Sequence, residues 1–464
     1  MQTMTSRRVR PIRDCGVISG RPVWIKTDVR VGWMRRKSMG GLRPHQFGFR
    51  SLRIFGLDGI IRQRNFPDMS KLKRLKINKY RNVVPGTELH FHDGINILLG
   101  KNASGKTTLL NLISLCLGVP QPEEEEYWVE YDLELISIDE DRSSETHLPL
   151  KLTINTRSNR LKQNSTEEPL TYERATTLTV DGISITSPTS PLSRSFAATL
   201  FNAKIPEITG RIWYETLRNI CRFDESLQLF NCLIGSELLD SYNSRFVPFL
   251  NMLKTSPTSN EFTSIMLPRE TFFHFSDSLP DVRFTNDQFP FLQKITKLLG
   301  FSSVEMSPRF LERKATERGE QSNYRGLSFR FSGSNKNEIT ERLLSYGQKR
   351  LLAFYYYLAL NPSIVIADEL VNGLHHKWIE NCLAEIGSRQ AFLTSQNPLL
   401  LDYMSFESAT EARTRFILCE SQPSDNRTML SWRNMSDEEA TMFFDAYEAG
   451  IEHVGEILIT RNLF

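Results

Sequence analysis

The octapeptide Gly100-Lys101-Asn102-Ala103-Ser104-Gly105-Lys106-Thr107 constrains this chain more than any other stretch. Ile95–Leu99 before it reads as a short apolar strand, and Thr108–Leu117 after it has helical spacing without Pro or Gly. Strand, glycine loop and helix is the context in which main-chain N–H groups and a helix N-terminus surround an anionic phosphate chain. Lys106 then reaches the terminal phosphates, and the Thr107 hydroxyl becomes a ligand for Mg²⁺. Residues Gly100 through Thr107, with Thr108, are the candidate phosphate-binding set. An ordinary glycine turn with a surface lysine is the alternative for the octapeptide taken alone.

A chain of 464 residues with 40% hydrophobic content can bury a substantial core and has room for two to four domains. Its six cysteines are scattered without a Cys-x-x-Cys pair, which argues for reduced buried thiols over a zinc site or disulfide framework. No apolar run approaches the roughly 20 residues that span a bilayer, and the polar, arginine-rich start is not a signal peptide. A cytoplasmic protein without membrane contact is expected. The net charge of +3 hides an asymmetry: residues 1–68 hold fifteen Lys and Arg against four Asp, or +11, leaving −8 for residues 69–464. An acidic body gives general nucleic-acid binding no support, although a local basic patch stays open.

That basic leader, 1–68, lacks sustained periodicity and is expected to lie outside the native fold; a mobile basic arm is the alternative. From 69 onward the pattern is clear. Leu72–Lys79 alternates apolar and charged residues, and residues 69–120 form the phosphate-loop half. Residues 121–205 form a strand-rich insertion, with strands at Trp128–Ile136, Leu148–Ile154 and Thr176–Ile185 and polar connections at 139–145 and 156–168. The Glu123–Glu126 run reads as a solvated loop. Residues 206–330 read as a mainly helical lobe, helices being suggested across 206–266 and again at Phe291–Leu299. Residues 331–464 form the C-terminal half, ending in one amphipathic helix from Ser436 with Met442, Phe443, Tyr447, Ile451, Val454 and Ile457 on its apolar side.

Ser363-Ile-Val-Ile-Ala-Asp368-Glu369 is a short apolar strand ending in two carboxylates. Opposite a phosphate cradle, Asp368 would hold Mg²⁺ and Glu369 would act as general base on the attacking water. Upstream, Ser345-Tyr-Gly347-Gln348 opens a helix that runs to Leu360. Its N-terminus is either an ordinary Ser cap or a second phosphate site. The 23 residues from Ser345 to Asp368 suit one helix, a turn and a buried strand, which favours the second.

These residues resemble the ABC-type ATPases of the RecF, SMC and OLD kind, including the compact AAA proteins of bacterial defence systems. The resemblance covers most of 69–464. It implies an α/β P-loop NTPase of ABC-ATPase head type, with an inserted antiparallel sheet and a helical lobe. Gly100–Thr107 looks like the Walker A loop, Ser345–Gln348 like the ABC signature and Ile364–Glu369 like the Walker B strand. Asn372–His375 is similar to the D-loop that follows. The family's two heads sandwich two nucleotides, so Ser345, Gly347 and Gln348 would serve the γ-phosphate held by a partner's Lys106. ATP, Mg²⁺ and a homodimer or larger assembly are therefore implied. One departure stands out: Gln396 occupies the switch position where the family usually has histidine, and glutamine cannot carry a proton as imidazole does. His375 and His376 read as helix-start surface residues.

The interval of 239 residues from Lys106 to Ser345 has no heptads, which sets the chain apart from long-armed SMC proteins, and it is longer than in transporter subunits. The last 66 residues after Pro398 carry no acidic cluster like that of the OLD nuclease domain. The leading expectation is an ATPase whose nucleotide state controls head dimerisation, regulating a separately encoded effector such as a nuclease, or sensing DNA, in defence or DNA maintenance. A nucleotide-gated scaffold with little turnover is the alternative, and a transporter energising subunit the less favoured third. Tyr80 and Arg81 are candidate adenine contacts.

Overall fold

A computed structural model describes residues 70–118, 125–135, 150–161, 171–180, 182–189, 222–224, 249–256, 259–262, 283–287, 289–316, 319–333, 335, 337–360, 364–394, 399–424, 427–450, 452–461 and 463. In chain order, the first elements are β1 (Lys71–Tyr80), β2 (Thr87–His90), β3 (Ile95–Leu99), α1 (Lys106–Cys116), β4 (Tyr127–Leu135), β5 (Leu150–Arg160), β6 (Tyr172–Val180) and β7 (Ile183–Ser187). Next come β8 (Phe249–Ser256), β9 (Ser259–Phe262), β10 (Phe284–Thr285), α2 (Pro290–Leu299), β11 (Ser303–Thr316), β12 (Gly319–Ser332), β13 (Glu338–Thr340) and α3 (Tyr346–Leu360). The rest are β14 (Ile364–Ala367), α4 (His376–Ile386), β15 (Gln390–Thr394), α5 (Leu399–Asp402), α6 (Ala409–Arg415), β16 (Phe416–Ser424), β17 (Arg427–Asn434), α7 (Asp437–Ala449) and α8 (Val454–Thr460).

The central sheet runs β14-β15-β3-β16-β17, with the first four strands parallel and β17 antiparallel. Parallel strands are covered on both faces, so their sequences are continuous apolar runs. Successive residues enter opposite cores. Val365 and Ala367 join the cluster built on α2, α3 and α4, whereas Ile364 and Ile366 join the one built on α1 and the first antiparallel sheet. Within the first of these cores α3 is buried at eight successive positions, Leu351–Leu358. A helix apolar all round belongs inside a domain, and each large side chain removed from water contributes about 1.5–3 kcal/mol.

The expected antiparallel sheet is present in the order β2-β1-β4-β5-β6-β7, and it includes the N-terminal strands β1 and β2. The boundary expected at 120 therefore runs through one sheet. One buried amide fastens it to the central sheet, and a second ties the turn after β2 to β3 and β15. Gln390 pairs with both the N–H and the carbonyl of Leu72, each at 2.8 Å, and Asn96 bonds the carbonyls of His92, Gly94 and Ala391. Buried polar groups need such partners, and both side chains have them.

Several sequence expectations change. β5 continues through Arg160, so the polar segment expected from 156 begins as strand; Thr156 is buried against Thr176 across the β5–β6 ladder. The strand expected over 176–185 is a hairpin, β6 and β7, folded at Gly182. Residues 249–256 and 259–262, expected helical, are β8 and β9 and form a second antiparallel sheet with β10, β11, β12 and β13. Backbone pairing, of β8 with β12 and of β9 with β8, overrides the local period there. Helix α2 agrees with expectation, whereas the remainder of 206–248 except 222–224 lies outside the described residues, as does the leader 1–68. Of the glutamate run, Glu125 pairs with Arg81 at 2.7 Å and Glu126 with Lys79 at 3.0 Å, so these two are engaged. The tail is two helices: Gly450, at φ +64, caps α7, and Met442 faces solvent because its neighbour Phe443 takes the core. Cys116, Cys382 and Cys419 are free and buried. Among the described residues no helix is long and apolar enough to cross a membrane, and no group of His, Cys, Asp or Glu is placed to hold a metal by itself.

Candidate functional site

The loop between β3 and α1 follows the sheet edge where parallel strands present their carboxyl ends, the usual place for a ligand in such sheets. Its glycines are required by close neighbours. Gly100, at φ +145, lies so near the Cys419 carbonyl of β16 that a Cβ would collide with it, and a Cβ on Gly105, at φ +85, would meet Leu430 of β17 at 2.6 Å. Ala103 also has positive φ, +65. The Trp432 indole donates to the Ser104 carbonyl at 3.3 Å and ties the loop to β17. Lys106 curls over this loop, its ammonium donating to the carbonyls of Gly100 and, at 3.0 Å, Lys101. Burial lowers the Lys106 pKa, opposed by the nearby Cys419, Asp368 and Glu369. Lys101, Asn102, Ala103 and Thr107 are exposed and Thr108 half-buried, leaving the cradle open to a ligand.

Across 261 residues of sequence, the Thr107 hydroxyl donates to Asp368 Oδ2 at 2.6 Å. Asp368 Oδ1 accepts from the Thr394 hydroxyl, and that same hydroxyl oxygen accepts the Glu369 N–H at 2.9 Å. The end of β15 thus fixes both carboxylate residues that follow β14. Glu369 sits at φ +49, left-handed for a non-glycine residue, a conformation that costs on the order of 1 kcal/mol and turns the chain sharply. Arg350 of α3 holds that turn by donating to the carbonyls of Glu369 at 2.5 Å and Leu370 at 3.1 Å, and Asn372 donates to the Glu369 carboxylate. Thr107 and Asp368 supply hard oxygens of the kind Mg²⁺ takes, and the loop residues Lys101, Asn102 and Ala103 are exposed, so these residues fit a magnesium nucleotide.

The signature segment makes its own arrangement. Ser345 N–H donates to Gln348 Oε1 at 2.8 Å while Gln348 N–H donates to Ser345 Oγ at 3.3 Å, a reciprocal cap at the start of α3. Gly347 packs against the Gly373 carbonyl, and Gly373 in turn against the Tyr346 ring. A requirement for glycine at 347 therefore exists within one chain, independent of any partner.

The sequence missed residues 222–224. Arg222 is 6% exposed and forms a two-bond pair with Asp224, at 3.0 and 2.9 Å, while also reaching Asn111 of α1 and Asp368 Oδ2 at 3.5 Å. Burial raises the Asp224 pKa against the pull of Arg222. Phe223 is fully buried among Phe354, Tyr357 and the Arg350 guanidinium. Arg-Phe-Asp matches no motif, so no local signal marks it. Tyr80 is wholly buried with its hydroxyl on Glu125, which removes it as an adenine contact, and Arg81 is drawn into an ion pair with the same glutamate. His375 caps α4 and is exposed beside His376, as expected for surface residues. Gln396 lies outside the described residues.

The family described as AAA domain, putative AbiEii toxin, Type IV TA system matches residues 95–402, more than half of the chain. Among solved structures, an SMC head bound to the C-winged helix domain of ScpA is 12% identical with a TM-score of 0.42, covering 79% of this chain and 98% of that one. The SMC head with an extended coiled coil from Pyrococcus furiosus is 13% identical at 0.38, covering 82% and 100%. The recombination mediator protein RecF, as RecF-ATPrS, is 15% identical at 0.30, covering 71% and 93%. None of the curated proteins compared matches the chain.

Proposed function

This chain belongs to the AAA-domain family matched over residues 95–402, and from that premise we propose that it binds ATP with Mg²⁺ and hydrolyses it. The observation that carries this reading is the 2.6 Å hydrogen bond from Thr107 to Asp368, which joins the phosphate loop to the acidic strand end and sets Glu369 beside them. The N–H groups of the loop and the start of α1 bind the phosphates, and Lys106 leaves its loop carbonyls for their oxygens. Thr107 and Asp368 would hold Mg²⁺, which when bound would supply positive charge to offset that of the phosphates. Glu369 orients the attacking water and accepts its proton, with Asn372 and Arg350 fixing the turn that presents it.

Residues 69–464 form the head in this reading, the phosphate loop coming from 69–120, the signature and acidic strand end from 331–464, and Arg222 and Asp224 from the segment between. Self-association is supported by Leu343 and Tyr346, which flank Ser345 and are 72% and 66% exposed. Apolar side chains so placed are covered when a second copy docks its nucleotide against Ser345, Gly347 and Gln348. ATP-controlled closure of such a dimer would regulate a separately encoded effector, such as a nuclease, or report DNA, in defence or DNA maintenance. Phosphate release with and without DNA tests that wider role.

The direct test compares three proteins. Lys106→Ala is expected to lose ATP binding, while Glu369→Gln keeps ATP, forms dimers and stops releasing phosphate. Equal hydrolysis by wild type and Glu369→Gln refutes Glu369 as the base. ATP binding without phosphate release by the wild type would instead support the nucleotide-gated scaffold.

A further inference from the structure

Resting on the ATP-site reading above, we propose that Arg222 is a built-in counter-cation that competes with the divalent ion for Asp368, with Asp224 setting how strongly it competes. The oxygen that Arg222 approaches, Asp368 Oδ2, is the one that accepts the Thr107 hydroxyl. A divalent ion held by Thr107 and Asp368 would therefore meet a guanidinium at the same carboxylate. The guanidinium cannot simply swing away. Its side chain is 6% exposed, Asn111 accepts one of its N–H groups, and Phe223 pins the adjoining backbone among Phe354, Tyr357 and Arg350.

Asp224 moderates the competition. It holds Arg222 through two bonds, at 3.0 and 2.9 Å, whereas the approach to Asp368 is longer, at 3.5 Å. Most of the cation's attraction is thus spent on Asp224, and Asp368 keeps enough negative charge to bind metal. Removing Arg222 leaves two carboxylates facing the same space without their cation, an arrangement that favours a divalent ion. Removing the Asp224 charge releases Arg222 onto Asp368. The two changes act on one ion pair, yet they move metal affinity in opposite directions. A purely structural clamp gives no such opposition, because breaking it from either end loosens the same segment.

The experiment measures binding of a fluorescent N-methylanthraniloyl-ATP to the full chain in EDTA and at saturating free Mg²⁺, and takes the ratio of the two dissociation constants. Arg222→Gln is expected to raise the Mg²⁺-dependent gain about tenfold, as for removing one unit charge ~5 Å from a divalent ion in a water-like dielectric. Asp224→Asn is expected to lower the gain several-fold, and Arg222→Lys, which keeps the charge, to stay near wild type. Shifts in the same direction, reversed shifts or no shift overturn the proposal. If a melting scan shows that Arg222→Gln does not fold, Asp224→Asn decides alone: its gain must fall. A wild type that does not bind the probe overturns the ATP-site reading and this inference with it, whereas normal Mg²⁺-dependent binding without the opposed shifts overturns only the role of Arg222.

Discussion

Gly347→Ala sets two effects against each other at the start of α3. Gly347 has no left-handed backbone, so alanine meets no torsional penalty there, and its helix preference alone favours the variant by up to about 1 kcal/mol. The new Cβ, however, would lie 2.6 Å from the Gly373 carbonyl oxygen and 3.2 Å from Trp378 Cζ3. That oxygen is main chain and cannot rotate aside. Its turn is held at φ +75 by a glycine packed so close to the Tyr346 ring that a Cβ added there would meet the ring at 2.6 Å, which leaves the turn little room to retreat. Overpacking costs about 1–3 kcal/mol, and a contact this close belongs near the upper limit. The expected net result is a loss of about 2 kcal/mol. Urea unfolding of the nucleotide-free protein, followed by tryptophan fluorescence, reads it as a lowered midpoint. Gly300→Ala is the control: with φ +77 and no atom within 4 Å of its Cβ, it carries backbone strain alone, about 1 kcal/mol. A Gly347→Ala protein as stable as wild type refutes the reasoning and moves the need for glycine from the Gly373 turn to a partner surface.

Thr394→Val removes the hydroxyl that donates to Asp368 and accepts from the Glu369 N–H. Leaving that N–H unpaired costs about 1–3 kcal/mol, so phosphate release should fall at least tenfold while ATP affinity in EDTA stays unchanged; unaltered turnover would show that Thr394 does not position the pair. Leu343→Asp places a charge on a residue 72% exposed and should abolish ATP-dependent dimerisation by light scattering without weakening ATP binding by the monomer; persistent dimers would place the interface elsewhere. His92 has a lowered pKa, caused first by burial and then by Arg415, and its Nδ1 accepts the Gly94 N–H at 2.9 Å. The unfolded chain thus binds more protons than the folded one below pH ~6.5, and stability falls as pH drops through that range. In His92→Asn, the melting temperature should fall less between pH 7.5 and 5.5 than in wild type, and parallel declines would exclude His92 as the source.

The sequence by itself determined the cradle and its acidic counterpart. Glycines at 100 and 105 are needed because β16 and β17 press on the loop, and that need leaves its trace in the residues themselves. Apolar runs at 95–99 and 364–367 likewise announce strands covered on both faces, and Asp368 and Glu369 follow directly from where one run stops. Other stretches misled for a physical reason. Hydrophobic spacing reports how much of a segment is buried, not which element buries it, so 249–256 read as helix until pairing with β12 made it strand. The tail read as one helix because Gly450 interrupts a pattern that resumes at Val454. Only the tertiary structure decided that β3 lies between β15 and β16, that Gln390 closes on Leu72 across 318 residues, and that Arg222 reaches Asp368 across 146. Local residue choice records the backbone angles and burial a position must tolerate; a contact between distant segments leaves no period in either, and its partner is fixed only when the sheets and helices have packed.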